Sequence, residues 1–237
     1  MLFLIFFSIY KHDFTARATD QEYPKEQAIL TRVIDGDTIE VTGPVIGNKT
    51  HIRLLGLNSP EKNMPYSQAS ANFLKQFENK TVFLLRDKED TDKYNRKLRY
   101  LFYENQLINL EILEKGFANS YYTSGLKYEK QILRAENQAL QLEVGIWAKS
   151  NQLCFDCIKL VDLNATTETI IIENICNYQC ELSGWFIKDA GRNTFYLNSM
   201  KSNEKQTIKS SKEVWNNDGD KFFLFDNNGK LVLYYSY

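Results

Sequence analysis

In the stretch Val33-Ile-Asp-Gly-Asp-Thr-Ile-Glu-Val41, two carboxylates, Asp35 and Asp37, flank a glycine between apolar alternations. Arg53 lies inside the apolar block "IRLLGLNSPE", Glu61 ends that block after Pro60, and Arg96 closes "DKYNR" just ahead of another apolar run. Taken singly, each has a plain structural explanation. Asp-Gly is a turn signal, Arg53 can snorkel, and Glu61 and Arg96 suit a solvated turn and a hairpin surface. Taken together, they are the parts that phosphodiester hydrolysis requires: oxygen ligands for a hard cation, two fixed guanidiniums, and a carboxylate for the attacking water. Guanidinium forks match phosphate oxygens bidentately and stay charged at any working pH. Calcium accepts Asp, Asn and carbonyl oxygens in loose geometry and serves as Lewis acid and template. Asp37 is the carboxylate expected to point into such a site.

Short alternating segments must position these groups. Gln27 to Val33, Thr38 to Val41, Lys49 to Leu57, Thr81 to Leu85 and Leu98 to Tyr103 read as strands, with a two-residue hairpin turn at Asp-Gly that sets glycine at positive φ. Three helical stretches are interleaved. "SQASANFLKQFENK" places Ala69, Phe73 and Phe77 on one stripe. "QLINLEILEKGFA" does so with Leu107, Leu110 and Leu113 ahead of Gly116, and "KYEKQILRAENQALQLEVGIW" with Ile132, Ala135, Ala139 and Leu142. This order predicts an α+β unit, a small closed barrel of five strands with three packed helices. Past Trp147 helical periodicity stops, and "ETIIIENI", "GWFIKD", "KFFLFD" and "LVLYYSY" alternate with Asn, Asp and Gly turns, as in a β-sandwich. The predicted units are residues 24–149 and 150–237.

With 237 residues, 43% of them hydrophobic, the chain can bury two cores. Its formal charge of −1 excludes bulk electrostatic coating of nucleic acid, so an anionic substrate must be held by a few focused cations. Two histidines, His12 and His51, are too few and scattered for imidazole-based catalysis. Residues 1–23 open with "MLFLIFFSIY", half the length of a membrane-spanning helix, followed by Ala16-Arg17-Ala18. This reads as a signal peptide or membrane-proximal leader, and hence a secreted or surface-tethered protein.

From about Gln27 to Trp147, the ordered motifs "VIDGDT", "IRLLGLNSPE", "DKYNR", "LINLEILEKGFA" and "GIW" resemble the staphylococcal-nuclease-like family, the thermonucleases. The resemblance implies an OB-fold barrel with three helices and calcium-dependent cleavage of DNA or RNA to 3′-phosphates. By the same resemblance Asp37, Asn58 and the Ser59 backbone carbonyl would be the calcium ligands. Arg53 and Arg96 would stabilise the phosphate in transit, and Glu61 would act as general base. Lys93 and Tyr94 would contact the terminal phosphate, with Tyr122 lining the base pocket and Asp35 supporting the metal. Asn58 departs from the family's second aspartate and removes a negative charge, which predicts weaker calcium binding or, alternatively, a copy that binds nucleic acid without cutting it. The segment from Glu61 to Ala69 is also shorter than the family's mobile loop.

The tail from Thr167 to Tyr237, with "LSGWFIKD" and "WNNDGD", resembles the lamin tail domain and implies an immunoglobulin-like sandwich that binds or tethers, its ligand unspecified. Trp185 is expected in its core. Cys154, Cys157, Cys176 and Cys180 fall as two close pairs, spacing that suits a zinc tetrahedron if reduced or two disulfides in an oxidising compartment.

Overall fold

The structure is a computed structural model that describes residues 24–237; the leader and its cleavage pattern lie outside the described residues. The first half contains β1 (Glu26–Val33), β2 (Thr38–Gly43), β3 (Gly47–Leu54), β4 (Leu57–Asn58), α1 (Ser67–Lys75), β5 (Thr81–Thr91), β6 (Lys97–Tyr103), β7 (Gln106–Leu107), α2 (Ile108–Glu114), β8 (Asn119–Ser120) and α3 (Glu129–Gln141). A 3-10 turn, Gly145–Trp147, ends it.

The sheet runs β3-β2-β1-β5-β6-β7 and closes through a parallel pairing of β3 with β6. This closed five-strand barrel with three helices matches an OB-fold. Inward residues such as Leu30, Ile39, Ile52, Leu84 and Leu101 alternate with solvated ones, as a pleated strand requires, and fill the interior. Gly116 stops α2 in the left-handed conformation: its N–H donates to Leu113 O and that of Phe117 to Ile112 O, which satisfies the last carbonyls.

The details differ from the expectations in three places. The strand expected through Leu57 breaks at Leu54, because Gly56 turns left-handed and Leu57–Asn58 then pairs with Asn119–Ser120 in a separate ladder. Two stripes turn slightly and the third holds: α1 buries Ser70 and Leu74 most deeply, α2 buries Ile108 and Ile112 beside the expected Leu113, and α3 buries Ile132, Ala135 and Ala139 as expected while Leu142, past its end, is exposed. The Asp-Gly turn is not a two-residue hairpin. Residues 34–37 form a longer loop closed by Ile34 and Asp35 N–H on Thr38 O, and Gly36 is not left-handed. Glycine is needed there for close approach, since a Cβ would stand 2.2 Å from Ser70 Oγ and 2.7 Å from Ser59 Cβ.

The second half is strand-rich: β9 (Ile158–Asn164), β10 (Thr169–Asn174), β11 (Phe186–Lys188), β12 (Thr194–Tyr196), β13 (Lys205–Lys209), β14 (Lys221–Phe225) and β15 (Leu231–Ser236). They form two antiparallel sheets, ordered β13-β10-β9 and β12-β11-β14-β15. Ile170, Ile172, Ile187, Phe222, Leu224 and the buried Trp185 share one apolar cluster between the sheets. Disulfides join Cys154 to Cys180 and Cys157 to Cys176.

The two halves pack tightly. Phe222 and Leu224 face the C-terminal core, while their alternating neighbours Phe223 and Phe225 face the other way, onto Ala139, Ile146 and Trp147. This strand is therefore apolar without alternation because both of its faces are covered. Beside that cluster Lys221 Nζ lies 2.6 Å from Glu136 Oε2, and it also donates to Ser120 Oγ. Pairing of buried charges across the junction leaves neither ion uncompensated.

Candidate functional site

The β1–β2 loop, the end of β3, β4 and the turn before β6 converge at one end of the barrel. Asp37 is buried, and its carboxylate is surrounded by donors. Oδ2 accepts from Ser59 N–H at 2.8 Å and Ser59 Oγ at 3.0 Å, while Oδ1 accepts from Thr38 Oγ1 at 3.0 Å and faces Arg53 Nη1 at 3.2 Å. Asp35 stands behind it, with Oδ1 accepting from Asp37 N–H at 3.0 Å. Burial, followed by the neighbouring Asp37 carboxylate, pushes the Asp35 pKa above the ordinary aspartate value. Asp35 thus braces the loop that carries Asp37.

Arg53 is buried and fixed from several sides. Nη1 donates to the carbonyls of Leu54 and Leu57, and Nη2 donates to Asn58 Oδ1 at 3.0 Å. The strand break at Leu54 is what brings these acceptors around the guanidinium. Arg96 approaches from the other side: Nε donates to Asp92 Oδ2 at 2.7 Å, and Nη1 donates to Thr38 Oγ1 at 3.1 Å. Asp92 also accepts from the Arg96 and Tyr94 N–H groups, closing the turn. Burial would raise its pKa, but these hydrogen bonds prevail and hold it below the ordinary value.

The two arginines are thereby joined in one chain of contacts, Arg96 to Thr38 to Asp37 to Arg53 to Asn58. Thr38 and Asp92 are functional neighbours that motif reading did not single out; Thr38 simply follows Asp37, and Asp92 is the turn-forming acid four residues before Arg96. Lys93 and Tyr94 are exposed beside Arg96, with the Tyr94 ring centroid 5.4 Å from the Arg96 guanidinium carbon and 5.3 Å from Lys93 Nζ. Tyr122 is 73% exposed, and its ring meets Tyr121 at 4.1 Å rather than either arginine.

Glu61 is engaged from outside the barrel: Oε1 lies 2.7 Å from Nε of Arg192, a residue of the C-terminal half. Asn58 is also engaged from that half, its Nδ2 donating to Ala190 O at 3.2 Å and Gly191 O at 3.0 Å. Lys188, wholly enclosed behind this loop, has its pKa lowered to about 8 by desolvation.

A closed barrel of this topology is an OB-fold, and one end of it gathers a buried acid, Asp37, paired with one fixed guanidinium and linked through Thr38 to a second. The family described as "Staphylococcal nuclease homologue" matches residues 51–149, a span that holds Arg53, Asn58, Ser59, Glu61, Arg96 and Tyr122 but begins after Asp37. The chain is 33% identical over 132 residues to the thermonuclease of Staphylococcus intermedius, covering 52% of this chain and 77% of that protein. It is 31% identical over 141 residues to the thermonuclease of Staphylococcus hyicus, covering 56% and 79%. An uncharacterized endonuclease of Haemophilus influenzae is 31% identical over 131 residues, covering 54% and 70%. The chain belongs to the staphylococcal nuclease homologue family.

Proposed function

We propose that this protein is a calcium-dependent endonuclease that hydrolyses DNA or RNA phosphodiesters to 3′-phosphate products. The observation that carries this reading is the single chain of contacts that fixes Arg53 and Arg96 around the Asp37 carboxylate. In it, two permanently charged forks lie close together and are held by protein acceptors, a fixed positive field at which phosphate charge can be stabilised.

The donor chemistry fits the ion. Asp37, the Asn58 side-chain oxygen and the Ser59 carbonyl offer only hard oxygens, and Arg53 draws the first two together by bonding both. When bound there, calcium would supply Lewis-acid stabilisation of phosphate charge. The protein groups do the rest. Arg53 and Arg96 hold the non-bridging oxygens. Glu61 orients water and takes its proton, and Lys93 with Tyr94 grips a flanking phosphate beside Arg96. Tyr122, exposed on its own turn, offers a face for base stacking.

The same reading assigns residues 24–149 to the nuclease domain. Residues 150–237 form a lamin-tail-like, immunoglobulin-like sandwich that binds or tethers an unspecified surface. Export, with the leader cleaved or kept as a membrane tether, is supported by the two disulfides, since these persist in oxidising compartments. A second reading, a nucleic-acid-binding protein on the same fold that does not cut, is favoured by one observation, an uncharged Asn58 in the ion's ligand set whose amide is taken up by Ala190 O and Gly191 O.

The deciding experiment is digestion of single-stranded DNA and of RNA by the full chain, in millimolar calcium against EDTA, with Glu61→Gln as control. Calcium-dependent cleavage lost in the variant supports the enzyme. Calcium-independent binding without cleavage supports the second reading.

A further inference from the structure

The loop between β11 and β12, residues 189–193, belongs to the C-terminal half yet closes over the barrel's site. Two of its carbonyls are saturated. Ala190 O accepts from Asn58 Nδ2 and from Asn119 Nδ2 at 3.0 Å, and Gly191 O accepts from Asn58 Nδ2 and from Lys188 Nζ. The loop is also braced from within. Asn193 N–H and Nδ2 donate to the two oxygens of Asp189, and Ala190 N–H donates to Asp220 Oδ1. Beneath it lie the apolar junction of Trp147 with Phe223 and Phe225 and the Lys221–Glu136 pair. A fully satisfied buried polar network of this kind is rigid. The next side chain on that base is Arg192, which meets Glu61 at Oε1.

We propose that this loop completes the nuclease centre and that Arg192 is a positioning residue that orients Glu61 for the water; the inference rests on the nuclease reading above. Magnitudes separate it from an inhibitory contact. The Arg192 and Glu61 side chains are 51% and 44% exposed, and a pair so solvated is too weak to hold the carboxylate out of use. A modest bias in its orientation still changes the rate, because only the carboxylate rotamer aimed at the water reacts and displacement by about 1 Å forfeits as much as 100-fold. The saturated carbonyls also account for asparagine at position 58. Only an amide presents donors to Ala190 O and Gly191 O while offering an oxygen to Arg53.

The test uses the full chain with single-stranded DNA in millimolar calcium. It compares wild type, Arg192→Ala, Arg192→Lys, Glu61→Gln and the Arg192→Ala/Glu61→Gln double variant, with Tm measured on each. Arg192→Ala is expected to lower kcat by about threefold to fivefold, the most that a pair so solvated can bias the carboxylate, with KM nearly unchanged and Tm unchanged. Arg192→Lys should recover part of the loss, and on the Glu61→Gln background the alanine change should add less than about twofold. Unchanged or raised kcat in Arg192→Ala, a loss confined to KM, or full additivity with Glu61→Gln would overturn the positioning role while leaving the nuclease standing. A folded wild type with no calcium-dependent cleavage would overturn both.

Discussion

The barrel closes around one apolar cluster reaching from Ala28 to Ala135 without a covalent tie, whereas the C-terminal half gathers a smaller cluster and adds two disulfides. The difference follows from where the second half places its apolar surface. Phe186, Phe223 and Phe225 turn outward onto Trp147 and Ile146 instead of into their own core. A unit of this size that gives one sheet face to a neighbour has little hydrophobic stabilisation to spare, and cross-links make up the shortfall. The division also holds at the site. The barrel contributes side chains that can do chemistry, and the C-terminal half contributes mainly backbone carbonyls and one arginine that hold those side chains in place.

The largest expected effects test the barrel's side of this comparison. Arg96→Ala and Glu61→Gln should each lower cleavage by about 100-fold or more, with Tm nearly unchanged, because both side chains are at least partly solvated and neither is part of the apolar core. Arg53→Ala is a poorer probe: that guanidinium is buried against Asp37, and its removal strands a buried carboxylate, so lost activity would be mixed with lost stability. Unchanged turnover of single-stranded DNA by purified Arg96→Ala would remove Arg96 from the chemistry.

The next effect tests the other side. Cys154–Cys180 and Cys157–Cys176 span 26 and 19 residues, and in the chain-entropy account each loop closure of this length is worth about 3 kcal/mol. Reduction should therefore unfold the C-terminal half at a lower temperature, resolved by calorimetry as a transition that separates from the barrel's. Cleavage should fall in parallel as residues 189–193 lose their footing. A single transition at an unchanged temperature after reduction would show that the junction, rather than the cross-links, sustains that half.

Much of the barrel could be read in the sequence because its chemistry restricts residue types locally: Asp37, Arg53, Glu61 and Arg96 each sit in a short block whose turn or strand signal is strong. Strand positions followed from alternation, as did the Ile132, Ala135 and Ala139 stripe of α3, but the stripe registers of α1 and α2 slipped. Ser70 and Asn109 are polar residues that are nonetheless buried, which apolar counting passes over. The C-terminal contribution was not legible for a different reason. Ala190 and Gly191 act through carbonyls that every residue possesses, and Arg192 in "KDAGRN" looks like any loop cation. One signal was partial. "KFFLF" runs apolar without alternation, as "TIII" and "LVLYY" also do, but Phe222 to Phe225 are all buried, the state of a strand covered on both faces.

Asn58 is the residue at which the two halves meet, so it gives the finest test. In Asn58→Asp the new carboxylate would face Ala190 O and Gly191 O, which at present accept from the amide, and each carbonyl would keep one donor, from Asn119 and from Lys188. Arg53 beside it offsets part of the added charge, leaving a cost of about 2 kcal/mol, the scale of a buried polar mismatch. For a chain of this length that corresponds to roughly 4–8 °C in Tm, measured in EDTA. Calcium should return part of the loss, because a carboxylate binds the ion more strongly than an amide oxygen does and binding to the folded state alone raises stability. A variant more stable than wild type in EDTA would mean that the carbonyls do not need the amide and that the loop is held by its own domain alone. A loss in EDTA that calcium leaves untouched would instead confine Asn58 to docking and remove it from the ion's ligands.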